Sequence, residues 1–140
     1  MSINTPAQPG QNSSVVQVPD LDINKVLYKE TSGVPHERAR GEQKVFANLV
    51  VHLEQHGFKP VSVYDGEETE KTPTMKDMME LVFNLDECEC YFMKEGFPAR
   101  LIYIVLGNSP EEIVADHSMP NDETDDFDAA MQSFDPEQYL

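Results

Sequence analysis

Residues 88–107, CECYFMKEGFPARLIYIVLG, hold two runs of strand character on either side of a glycine- and proline-containing turn. In the first run Cys88, Cys90 and Phe92 alternate with Glu89, Tyr91 and Met93, and a period of two sends one of those sets toward a core. The second run is apolar on both faces and is predicted to form the centre of a sheet. GNSP then turns the chain into EEIVADH, a shorter and more polar strand. A sheet with an apolar face must be covered, so the remaining segments have to supply helices.

Two stretches meet that need. Pro35 suits a first helical turn, Val45, Phe46, Leu49 and Leu53 form one stripe, and Gly57 supplies a stop. Thr72 is predicted to cap a second helix with Pro73 in its first turn, where Met75, Met78, Met79, Val82 and Leu85 recur at helical spacing. Between them FKPVSVYDG reads as a strand, with Pro60 favouring an edge or an early position and Asp65-Gly66 marking a turn. EETEK, which follows, reads as a solvated loop. Phe127, Ala130, Met131 and Phe134 carry helical spacing once more. The expected order is α-β-α-β-β-β-α, an α+β fold with a small, mostly antiparallel sheet and helices packed on one face.

With 140 residues the chain suits one domain and shows no internal repeat. Residues 1–22, rich in Pro, Gln, Asn and Ser, are expected to be a flexible N-terminal tail. Residues 23–140 are expected to be a single domain that starts with INKVLYK in extended form.

Charge narrows the function classes. The net charge is −16, and its distribution is uneven: residues 108–140 hold ten acids and no Lys or Arg. Such a balance disfavours direct binding to nucleic acid or to anionic lipid, which carry the same sign. No apolar run reaches the roughly 18 residues of a membrane span, and the N-terminal stretch lacks signal-peptide features, so a cytoplasmic location is the expectation. A basic protein surface remains the attractive partner, and the sequence leaves a homodimer open.

Several residues could carry chemistry, each against a plainer alternative. His52 and His56 share a helical face and could ligate zinc, but Leu53 stands where the metalloprotease motif needs glutamate. They read better as surface histidines near a helix C-terminus. Cys88 and Cys90, expected about 7 Å apart on a strand, offer two thiolates without a second pair, and read as reduced, packed cysteines. Asp116-His117, and Asp65 with Glu67 or Glu68, lack a specific catalytic or calcium-binding pattern. No catalytic residue, metal or cofactor is assigned. The rival reading, a small enzyme with a metal or carboxylate site, requires His52, His56, Cys88, Cys90 and His117 to converge.

The candidate site is therefore electrostatic. On a helix over 122–134, Asp122, Asp125, Asp126 and Asp128 would lie around the circumference left by the apolar arc, with Glu123 beside them. Five acids over seven residues give one charge per roughly 2 Å of axis, against about 1.7 Å in duplex DNA. In character, though through no residue-level motif, the segment resembles the small acidic DNA-mimic proteins of phages and mobile elements. That resemblance implies a non-enzymatic inhibitor of a basic, nucleic-acid-handling partner and transfers no residue's role; on this hypothesis these acids, with Glu111, Glu112 and the acids of 65–70, meet Arg and Lys clusters of the partner, and Phe127 and Phe134 are further candidate contacts. Two alternatives stand beside it: an acidic-aromatic tail that folds only in a partner's groove, as an assembly subunit would use, and a plain helix closing the core.

Overall fold

The computed structural model describes residues 18–19, 36–119 and 126–140. The expected tail and the INKVLYK segment lie almost wholly outside them; Val18, half-buried, packs against the core. The chain is α+β, a five-stranded antiparallel sheet with three helices packed against it.

Helix α1 (His36–Gln55) carries Ala39, Val45, Phe46, Leu49, Val50 and Leu53 into the core. Its end follows from Gly57, whose φ of 92° is costly for a side chain-bearing residue. There the Phe58 N–H donates to Leu53 O at 2.9 Å and the Gly57 N–H to Glu54 O at 3.0 Å, while Phe58 and Leu53 are both buried. This is a Schellman closure, and it aims the chain directly into β1 (Lys59–Tyr64).

Strand β2 (Thr69–Lys71) pairs with β1 as the sheet edge, so EETEK is not wholly a loop. All three of its residues are exposed and carry no apolar pattern, which is why spacing alone misses them. Helix α2 (Met75–Val82) buries Met78, Met79 and Val82. Its cap is Thr74, whose Oγ1 accepts from the Asp77 N–H at 3.1 Å; Thr72, two residues earlier, is buried instead. The apolar spacing continues to Leu85 but the helix stops at Val82, and Leu85 packs half-buried on the core beyond it.

Strands β3 (Glu87–Met93), β4 (Arg100–Val105) and β5 (Val114–His117) follow as a meander, with a 3-10 turn at Pro110–Glu112 before β5. The spatial order β2-β1-β3-β4-β5 puts β3 at the centre. The expectation that β4 would be central fails because its second apolar face, Leu101, Tyr103 and Val105, is only half-buried, and none of the described helices packs on it.

A β-bulge interrupts β1: Pro60 pairs with Phe92 and Ser62 with Tyr91, leaving Val61 as the extra residue. Pro60 and Val63 consequently both face the core, and the Val61 carbonyl accepts from the Thr72 N–H at 2.8 Å. Helix α3 (Phe127–Ser133) and a 3-10 turn at Pro136–Tyr139 close the fold. The core is joined by edge-on aromatic pairs, Phe46 with Phe83 at 5.8 Å and Phe58 with Phe127 at 5.1 Å. Among the described residues no helix is long and apolar enough to cross a membrane.

Candidate interaction surface

A seven-residue helix is too short to be stable alone, so α3 exists because its surroundings hold it. Phe127 and Ala130 are fully buried and Met131 nearly so. Phe134 stacks on Tyr139 with ring centroids 5.5 Å apart and lies 5.4 Å from the His52 ring. From α1, the His52 Nε2 reaches Ala130 O at 2.8 Å and Ser133 Oγ at 3.0 Å. A carbonyl only accepts, so that nitrogen carries a proton and closes the end of α3 where backbone acceptors are in surplus. Residues 126–140 are thus a docked element.

The sequence-predicted acids separate into three groups. Asp122, Glu123 and Asp125 lie outside the described residues. Asp126 and Asp128 are described and engaged. Lys94 Nζ lies 3.2 Å from Asp126 Oδ1 and also stands over the rings of Phe58 and Phe97, at 5.4 and 5.5 Å. Asp128 accepts from His117 Nε2 at 2.8 Å and from Gln132 Nε2 at 2.8 Å. These two carboxylates fasten α3 to the β3–β4 turn and to β5. Glu111 and Glu112 sit on the 3-10 turn before β5, the first half-buried and the second exposed. Phe127, read as a partner contact, is a core residue, and Phe134 is half-buried in its stack.

The residues of the rival enzyme reading sit at separate places. His52 holds α3, with the His56 ring 4.9 Å away. His117 pairs with Asp128. Cys88 and Cys90 are buried on the helix-covered face of β3 with their sulfurs 3.9 Å apart, nearer than the strand repeat suggested but far beyond a disulfide bond. Burial pushes the Cys90 thiol well up, away from thiolate chemistry. Asp65 accepts the backbone N–H groups of Glu67 and Glu68, both at 2.8 Å, and these bonds hold its carboxyl below the usual range. It closes the β1–β2 turn. Among the described residues no three His, Cys, Asp or Glu side chains stand close enough to share a metal.

One surface was not singled out from the sequence. On the face of the sheet away from the helices, register lines up Thr69, Tyr64, Glu89, Tyr103 and Asp116 across all five strands. Beside that row the Tyr91 hydroxyl donates to Glu89 Oε1 at 2.7 Å, and the Tyr103 hydroxyl donates to Glu87. Donation to Glu89, followed by burial, pushes the Tyr91 phenol up to about 12. Glu89 stands between two shallow depressions of about 350 and 390 Å³, the first bordered by Tyr64 and Tyr91 and the second by Leu101, Tyr103 and Asp116. The signal was present as the Glu89/Tyr91 alternation in CECYFM, but cross-strand register, which assembles the row, cannot be taken from one strand. Comparison with protein-family models, curated proteins and solved structures finds no match to this chain.

Proposed function

We propose that the protein is a non-enzymatic, acidic interaction module that binds and inhibits a basic, nucleic-acid-handling partner by presenting carboxylates in place of phosphates. One observation carries the reading: ten acids and no Lys or Arg follow residue 107, while the last two cations before it are held by the fold. Lys94 is drawn onto Asp126 and two aromatic rings, and Arg100 is 4% exposed. A field of one sign raises the encounter rate with a cationic surface and repels nucleic acid itself.

The internal use of Asp126 and Asp128 decides how the reading is tested. Neutralising those two would loosen α3 as well as remove charge, so the informative variant combines Asp122→Asn, Glu123→Gln, Asp125→Asn and Glu112→Gln. Intact protein and variant are immobilised, exposed to host lysate at low and high salt, and then challenged with duplex DNA. The expected result is salt-sensitive capture of a nucleic-acid-binding protein by the intact chain, its release by DNA, and weaker capture by the variant. Equal capture by both chains at both salt levels refutes the reading.

A further inference from the structure

We infer that the helix-free face of the sheet, centred on Glu89, is the docking strip for an arginine- or lysine-bearing segment of the partner. The inference rests on the proposed function and adds a second contact surface to the C-terminal acids. Its argument is chemical complementarity within the cross-strand row. Tyr64, Glu89, Tyr103 and Asp116 alternate ring and carboxylate from β1 to β5, at a strand spacing of about 4.8 Å. A guanidinium or ammonium group is attracted to both kinds of neighbour, to the ring face through its quadrupole and to the carboxylate through charge and hydrogen bonds.

The phenol hydroxyls are already committed. Tyr91 donates to Glu89 and Tyr103 to Glu87, so the rings are held in place while each carboxylate, with about four acceptor sites, keeps capacity for a donor from outside. Glu89 borders both depressions and can serve a cation in either. Among the described strand residues of this face the cations are Lys59 and Lys71, which register places opposite Met93 and Ser62, outside the row. Among the described residues the strands of this face thus bring no Lys or Arg into the row. A second copy of this acidic chain would bring like charge to it, and an apolar segment would bury Glu87, Glu89 and Asp116 without partners.

The test uses the full-length protein and a fluorescently labelled oligoarginine peptide, followed by amide NMR and by fluorescence anisotropy at low salt. The expected result is amide shifts concentrated on β1, β3, β4 and β5. Glu89→Gln should weaken binding about fivefold, and Tyr103→Leu comparably, whereas Glu54→Gln, which removes the same charge from an exposed position of α1, should change it less than about twofold. Unchanged far-ultraviolet circular dichroism and amide dispersion establish that each variant is folded. Equal weakening by Glu89→Gln and Glu54→Gln, or shifts confined to α3 and the Pro110–Glu112 turn, overturns the docking strip while leaving the acidic-module reading in place. No binding by the intact chain overturns both. If the same amides move with protein concentration alone, the occupant is a second copy and the inference is wrong.

Discussion

Replacing Phe127 by alanine tests whether the C-terminal segment belongs to the fold. The ring is fully buried and meets Phe58 edge-on at 5.1 Å. An aromatic side chain of this kind removes roughly 150–200 Å² from water, which at about 25 cal/mol per Å² corresponds to about 4–5 kcal/mol. Truncation keeps the β-carbon but forfeits the ring contact and leaves a cavity, so the expected loss is about 3–5 kcal/mol. In a domain of this size that lowers the melting temperature by about 12–20 °C. Because α3 is only seven residues long, it can also undock to escape the cavity, and the denaturant m-value then falls because the native state already exposes that surface. Urea unfolding followed by circular dichroism gives both quantities. A loss below about 1 kcal/mol with an unchanged m-value would mean that α3 contributes nothing to the core, and the segment would have to be treated as a tail awaiting a partner.

Three further outcomes follow from local geometry. Thr74→Ala should cost about 1 kcal/mol through loss of the α2 cap, whereas Thr72→Val, which removes a buried hydroxyl lacking a hydrogen-bond partner, should be neutral or stabilising; paired urea titrations compare them. In an ultraviolet titration one tyrosine should ionise near pH 12 and return toward 10 in Glu89→Gln, and no change in the highest midpoint would remove the Tyr91–Glu89 bond from the account. Since the folded value lies above the unfolded one, stability from that bond is complete below about pH 10 and is lost as pH rises through 12. Cys88 and Cys90 should resist a thiol-reactive disulfide reagent until denaturant is added, and rapid labelling of the native protein would contradict their burial.

The parts of the fold legible from the sequence are those with an apolar period strong enough to survive without tertiary context. The Val45–Phe46–Leu49–Leu53 stripe, the Gly57 stop, the 88–94/100–107 hairpin and the Phe127–Phe134 spacing all correspond to elements or buried faces. Strand β2 was not legible because it is an exposed edge whose existence depends on pairing with β1 and on the Asp65 turn. The misplaced sheet centre has a related cause: Leu101 and Tyr103 give β4 a second apolar face, yet that face abuts tyrosines on a surface that none of the described helices covers. The surface of interest was half legible. Composition pointed to charge after residue 107, but which carboxylates the chain uses on itself depended on Lys94 and His117, contacts 32 and 11 residues away in sequence.

The bulge at Val61 bears on how the length of this chain can change. Removing a residue from a regular strand turns every following side chain over, exchanging inside for outside. Here loss of Val61 would leave Pro60, Ser62, Val63 and Tyr64 in ordinary alternation against Phe92, Tyr91, Cys90 and Glu89, with inward residues still inward. A one-residue contraction is therefore tolerated at this point of β1 at the expense of the carbonyl that receives Thr72, while the same contraction in the unbulged β3 would scramble the sheet.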